Sequence, residues 1–144
     1  MNVETPKIKI PNISQRKVMS SFSKIETMTT ERMFRRTKSG YDKNGRRFLP
    51  YAPVTLKYKR EMAVSTGSRV SLMDSGDMLN SLKGRLISNG VIIYVGYHAN
   101  IGYYHQNGMG VKKREWFGGD KTLEKNIRKE LNDNIKGQLK NVKN

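Results

Sequence analysis

The chain of 144 residues is long enough for one domain that buries most of its own apolar surface, and no apolar run approaches the length needed to cross a membrane. It contains no cysteine, which excludes a disulfide scaffold and a cysteine-ligated zinc site and agrees with synthesis in a cytoplasm. The formal net charge of +16 predicts a polyanionic partner such as nucleic acid or an acidic protein surface, although a solvated basic surface explains the charge equally well.

Residues 1–13 are predicted to form an extended N-terminal arm. Prolines at positions 6 and 11 each remove a backbone donor, and Ile8 and Ile10 alternate with lysines. Such an arm could add a strand to the sheet edge of another subunit, or it could simply fray. It has neither the basic n-region nor the apolar h-region of a secretory signal.

A long amphipathic helix is predicted from Ser14, its N-cap, to about Arg36, with Gly40 beyond its end. Its apolar residues recur at steps of three and four positions: Val18, Phe22, Ile25, Met28 and Met33. Its last turns carry four cations, namely Arg32, Arg35, Arg36 and Lys38. These could face a polyanion, but we favour the interpretation that they complement the C-terminal dipole of a core-packed helix.

A structured loop is predicted next, followed by a short helix from about Val54. The Asn-Gly pair at positions 44–45 is a strong turn signal, and prolines at 50 and 53 exclude a central strand or a helix interior. Arg46 and Arg47 lie among aromatic residues, so residues 32–60 could alternatively bind single-stranded nucleic acid by stacking and phosphate contacts.

Residues 61–73 are expected to include a mobile loop, and a short helix should follow, capped by Asp74 or Ser75. The apolar face of that helix would comprise Met78, Leu79 and Leu82. A β-hairpin is then predicted, with two β-rich runs at 84–88 and 91–96 joined by an Asn-Gly turn. Both faces of the second strand are apolar, so it should be central, or covered by helices on one side and by another subunit on the other.

The segment from Tyr103 to Gly119 holds several chemically active residue types. A metal site is not expected, because His98 and His105 have no cysteine and few carboxylates near them in the sequence. An acid–base pair of His105 and Glu115 would lack a nucleophile and an orienting group. The glycines of this segment lack the Gly-Lys-Ser/Thr ending of a phosphate loop. We therefore expect no catalytic residue, no metal and no cofactor.

A structural role is the preferred interpretation of the same segment. His105 and Gln106 should satisfy buried backbone groups, while the glycines supply positive φ angles. Trp116 and Phe117 should plug the sheet or insert into a neighbouring subunit. If they insert, replacing Trp116 by alanine leaves a folded monomer that cannot assemble.

The last helix is predicted to begin after Asp120 as its cap and to pack against the sheet, with residues 141–144 as a frayed tail. Its apolar stripe recurs every four residues: Leu123, Ile127, Leu131, Ile135 and Leu139. The predicted fold is therefore one α+β domain over residues 14–140, with a small antiparallel sheet, a long N-terminal helix, short helices and a C-terminal helix.

Four stretches resemble motifs of the small tail-completion (virion morphogenesis) proteins of tailed bacteriophages. The first pattern comprises His105, Gln106 and Gly108, followed by Arg114, Trp116, Phe117 and Gly118. The second comprises Leu72, Ser75, Gly76, Leu79, Ser81 and Leu82. Looser matches are Gly45, Phe48, Pro50, Thr55 and Lys59, and the strand ending at Val95 and Gly96. The chain lacks both prolines that the family usually places around its arginine.

The resemblance implies a non-enzymatic structural subunit of the phage neck. It implies a homo-oligomeric ring, expected to be hexameric, between the head-side connector or stopper protein and the tail terminator or tail-tube protein. Such a protein would be made in the host cytoplasm and reside in the virion, without a membrane partner. On this hypothesis the subunit interface comprises Ile8, Ile10, Tyr104, His105, Gln106, Arg114, Trp116 and Phe117. DNA in the channel, or an acidic partner, would contact Arg32, Arg35, Arg36, Lys38, Arg46 and Arg47. The alternative is a small basic nucleic-acid-binding protein that uses residues 32–60.

Overall fold

Two long helices and a β-hairpin dominate the computed structural model, which describes residues 15–62, 70–72 and 76–142. The element order is α1 (Gln15–Lys38), α2 (Pro53–Glu61), α3 (Asp77–Asn80), β1 (Leu82–Ile87), β2 (Gly90–Val95), α4 (Ala99–Asn107) and α5 (Lys121–Val142). The predicted α+β class is confirmed. The arm with Ile8 and Ile10, the Ser14 cap and the caps at Asp74 or Ser75 lie outside the described residues. No helix in the described ranges is long and apolar enough to span a bilayer.

Helix α1 forms where the sequence predicts it and ends at a glycine. Gly40 has a φ of +88°, a left-handed conformation that costs glycine little, and the helix stops two residues before it. Phe22, Ile25 and Met33 are buried along the predicted apolar face. The turn beyond α1 is closed by Asp42, whose Oδ1 accepts from the backbone N–H groups of Asn44 and Arg46 at 2.8 Å each.

The hairpin pairs in a single antiparallel register, from Leu82 opposite Val95 to Ile87 opposite Gly90. Leu82, expected in the preceding helix, is thus the first residue of β1. Along β2 the residues alternate as predicted: Ile93 and Val95 are packed against the core, while Ile92 and Tyr94 are each 42% exposed. Whether another subunit covers this exposed face stays a prediction.

Helix α1 is the layer that joins the hairpin to α5, so α5 reaches the sheet through α1 rather than directly. Towards the hairpin, Glu26 accepts a 3.0 Å hydrogen bond from the Gly84 N–H, and any Cβ at position 84 would collide with the Glu26 side chain. Towards α5, Ser21 and Asn134 are joined by a 2.8 Å hydrogen bond.

The main core is formed by side chains from α1, the loop before α2, residues 70–72, α3 and the segment after α4. Its buried members are Met33, Phe48, Tyr51, Val70, Leu72, Met78, Leu79 and Trp116. Residues 70–72 are buried, so the end of the stretch expected to include a mobile loop belongs to the core. The Tyr51 hydroxyl accepts from the Leu72 N–H at 3.1 Å and fixes this segment.

Candidate functional site

A helix that the sequence patterns did not predict carries the first half of the segment from Tyr103 to Gly119. Helix α4 runs from Ala99 to Asn107, between two residues in the left-handed conformation, His98 (φ 52°) and Gly108 (φ 72°). The Gly108 N–H bonds the Tyr104 carbonyl at 2.8 Å. The sequence signal for this helix was Gly108, since glycine readily takes the left-handed conformation that commonly ends a helix.

Trp116 is the most buried aromatic residue of this segment, with 1% of its surface exposed. Its Nε1 donates to the carbonyl of Gly102 on α4 at 2.9 Å. A Cβ at Gly102 would lie 2.7 Å from the Trp116 ring and 3.2 Å from the Met78 sulfur. Of the two predicted roles, the structure shows Trp116 plugging its own core. Contact with a neighbouring subunit would require that core to open.

Arg114 is also buried, and its hydrogen bonds join the loop before α2 to α4. Its guanidinium donates to the carbonyls of Leu49 (3.1 and 3.2 Å) and Pro50 (3.2 Å) before α2, and to the carbonyl of Lys112 at 3.2 Å. Its remaining donor reaches His105 Nδ1 at 3.2 Å. Since each guanidinium N–H has an acceptor within the chain, Arg114 has no donor left for a ligand or a neighbour.

His105 and Gln106 link α4 to Arg114 and to the backbone of Phe117. A guanidinium can only donate, so His105 Nδ1 accepts and the neutral ring carries its proton on Nε2. Burial, and then the positive charge of Arg114, lower the pKa of His105 to about 4, which keeps the ring neutral at pH 7. Gln106 Oε1 accepts from the Phe117 N–H at 3.0 Å, as expected for a side chain that satisfies a buried backbone group.

Two arginines of α1 hold the end of the same segment by hydrogen bonds. Arg36 donates to the carbonyls of Trp116 at 2.6 Å and Gly118 at 2.9 Å. The Nε–H of Arg32 is shared between the two carboxylate oxygens of Asp120 at 2.7 and 2.9 Å, and Arg36 adds a 3.2 Å bond to the same carboxylate. Asp120 also caps α5 as predicted, because its Oδ1 accepts from the Leu123 N–H at 2.9 Å.

The two arginines change the interpretation of the predicted polyanion contact. Burial opposes ionisation of Asp120, but hydrogen bonds from Arg32 and from the backbone outweigh it and lower the pKa of this carboxyl. Arg36 and Arg32 therefore serve the fold, and the Arg36 side chain is only 8% exposed. The other predicted contacts are exposed, and each has a partner: Arg35 with Glu31, Lys38 with the Phe34 ring, Arg46 with Asp42 and Arg47 with the Tyr41 ring.

The remaining charged residues of the segment are separated by the fold. Glu115 pairs with Lys113 at 3.3 Å and Lys43 at 3.8 Å, whereas His105 pairs with Arg114. Across the described residues, no three His, Asp or Glu side chains gather closely enough to hold a metal ion.

An open groove of about 820 Å³ lies between α2 and the segment formed by α4 and residues 108–112. Buried Tyr51, Leu72 and Arg114 are among the residues that line it. Its lining also includes four exposed apolar side chains: Val54 (73% exposed), Tyr58 (47%), Ile101 (43%) and Val111 (40%). Sequence reasoning missed Val54, Tyr58, Ile101 and Val111, because they come from three separate segments that only the tertiary fold brings together.

The outer surface of α4 and its flanks extends this apolar character. Tyr103 and Tyr104 are exposed on α4, Tyr97 lies exposed before it, and Met109 lies exposed after it. Among the predicted interface residues that the structure describes, Tyr104 is the most exposed. His105, Gln106 and Phe117 are partly buried, and Arg114 and Trp116 are buried.

Comparison of the chain with protein-family models, with curated proteins and with solved structures found no match.

Proposed function

We propose that this protein is a non-enzymatic structural subunit of a bacteriophage neck. It would form a ring, expected to be hexameric, between the head-side connector or stopper and the tail terminator or tail tube, and so reside in the virion. The proposal is supported by the resemblance of residues 105–118 and 72–82 to tail-completion proteins and by the groove beside α4.

The groove is the observation that carries an assembly function. Scattered exposed apolar residues are normal on a monomer, but here Val54, Tyr58 and Ile101 line one concavity. Tyrosine and aliphatic side chains in a concave surface are typical of a contact with another protein. A closed ring needs two different surfaces on each subunit, and the groove would supply one of them.

The buried residues of the same segment would support that surface. Arg114 ties the entry of α2 to His105 on α4, and the Trp116 indole fixes α4 to the core. The two walls of the groove are therefore joined by hydrogen bonds before any partner arrives. A surface fixed in this way loses less conformational entropy on binding than a mobile one. On this proposal Arg114 and Trp116 support the binding surface from inside the subunit and do not contact the partner.

Charge substitution in the groove tests this proposal. Val54→Arg combined with Tyr58→Ala should convert the assembled protein to a monomer, because both side chains are exposed and neither belongs to the core cluster. Met19→Arg is the matched control, since Met19 is 40% exposed on α1, away from the groove lining. The measurement is molar mass by size-exclusion chromatography with light scattering, with circular dichroism to verify folding. An unchanged assembly in the groove variant, or a wild-type protein that is monomeric at all concentrations, would contradict the proposal.

A further inference from the structure

The outward surface of α5 carries a stripe of cations that the fold does not use. Of its apolar residues, Leu123 is fully buried, Ile127, Leu131 and Ile135 are half-buried, and Leu139 is exposed. Five exposed cations lie along the helix, and we call them the α5 stripe: Lys121, Lys125, Arg128, Lys136 and Lys140. At 1.5 Å per residue the stripe extends over roughly 28 Å.

The α5 stripe lacks direct ion pairs, unlike the basic region in residues 32–47, although Asp133, whose pKa is lowered first by a hydrogen bond from Lys129, also interacts with the charge of Lys136. None of its members forms a salt bridge with a carboxylate of the described residues. Near the end of α1, by contrast, Arg32 and Arg36 pair with Asp120, and Arg35 pairs with Glu31. Within the described residues, the α5 stripe therefore differs from Arg32, Arg35 and Arg36 in lacking direct ion pairs, although residues 1–60 hold more cations in the sequence.

The composition of the stripe selects among polyanions. A helix that lies on a membrane needs an exposed apolar face, but α5 packs on α1, and Leu139 is the one exposed large apolar residue among its described side chains. Protein interfaces are depleted in lysine and enriched in aromatic residues, and the stripe contains no aromatic residue. Long flexible cationic side chains along one helix suit the closely spaced phosphates of a nucleic acid backbone.

We propose that the α5 stripe binds the phosphate backbone of duplex nucleic acid without regard to base sequence. Contact with phosphates alone carries no sequence information, and the affinity should depend steeply on salt because bound counterions are released. About five contacts correspond to a slope of roughly −4.5 in a plot of log affinity against log salt concentration. Raising the salt from about 50 to 200 mM should then weaken binding about 500-fold.

The test compares two variants of equal net charge. In the stripe variant each α5 cation becomes glutamine: K121Q, K125Q, R128Q, K136Q and K140Q. In the control variant the same number of exposed cations between residues 32 and 60 become glutamine: R35Q, K38Q, R46Q, R47Q and R60Q. Binding of a labelled random-sequence DNA duplex is measured by fluorescence anisotropy across a salt series. Glutamine has a helix propensity close to that of lysine and arginine, so both variants should fold as judged by circular dichroism and melting temperature.

The expected result is that the stripe variant loses the salt-dependent binding while the control variant keeps most of it. Equal loss in both variants, loss only in the control, or no binding by the wild-type protein at low salt would each overturn the proposal. Equally tight binding to poly-glutamate or to phosphatidylserine vesicles would also overturn it, because the site would then not select nucleic acid. Should the stripe variant misfold, K125Q and R128Q made singly must each reduce the salt slope by about one unit.

Discussion

Replacing Trp116 by alanine distinguishes a core residue from an interface residue. The ring is 1% exposed, lies against Gly102 and Met78, and donates a hydrogen bond to the Gly102 carbonyl. Truncation of such a buried tryptophan costs about 3–5 kcal/mol, which is a large fraction of the roughly 5–15 kcal/mol that stabilises a typical domain. With a urea m-value of about 2 kcal/mol/M, the unfolding midpoint should fall by about 2 M.

The assay is equilibrium urea unfolding followed by far-ultraviolet circular dichroism, with Trp116→Phe as the intermediate variant. Phenylalanine keeps an aromatic ring at the site but removes the indole hydrogen bond to the Gly102 carbonyl, so we expect a smaller loss of about 1–3 kcal/mol. If Trp116→Ala instead unfolds at the wild-type midpoint while its molar mass falls to that of a monomer, the core role is refuted. The interface role expected from the sequence would then stand.

Three further predictions concern the contacts around this residue. Gly102→Ala should destabilise the fold by about 1–3 kcal/mol in urea unfolding, because its Cβ would lie 2.7 Å from the Trp116 ring. Arg114→Lys should lower the thermal midpoint by several degrees, since one ammonium cannot reach the carbonyls that the guanidinium joins. The pKa of Asp120 is lowered in the folded state, so its contribution to stability is present above its ordinary pKa and is lost as the pH falls through the folded value. Asp120→Asn should therefore flatten the acid limb of stability against pH.

Matched controls sharpen these comparisons. Gly137→Ala makes the same change within a helix but meets no atom within 4 Å, so it should stabilise the protein by up to about 1 kcal/mol. A destabilising Gly137→Ala would show that the Gly102 result reports helix effects rather than packing. Asp133→Asn removes an exposed carboxylate whose pKa is also lowered, by a hydrogen bond from Lys129. If it alters the acid limb as much as Asp120→Asn does, the partly buried pairing of Asp120 with Arg32 is not the cause.

The features that the sequence predicted correctly depend on local signals. The end of α1 at Gly40, the turn at positions 44–45 and the α5 cap at Asp120 each involve residues a few positions apart. The hairpin followed from two β-rich runs separated by a turn, and alternation along β2 then placed Ile93 inward and Ile92 outward. These elements are specified by neighbours along the chain, so no knowledge of the tertiary fold was needed.

The features that the sequence did not predict depend on contacts between distant residues. Helix α4 has no strong apolar period, and its inward contact is made by Gly102, which has no side chain to reveal a pattern. Arg36 and Arg114 each donate to backbone carbonyls 64 to 82 positions away. The sequence shows that these residues are basic, but only the fold shows that their N–H groups already have acceptors within the chain.

The proposed groove and the α5 stripe involve different elements, so their functions should separate. The groove variant, Val54→Arg with Tyr58→Ala, changes no residue of α5 and should bind duplex DNA with the wild-type salt slope per subunit, even as a monomer. The stripe variant should keep the wild-type molar mass, because its substitutions lie outside the groove lining. If the groove variant loses DNA binding when it becomes monomeric, several subunits are needed to build the binding surface. If the stripe variant dissociates, α5 belongs to the subunit contact instead, and the lysines there have an acidic neighbour.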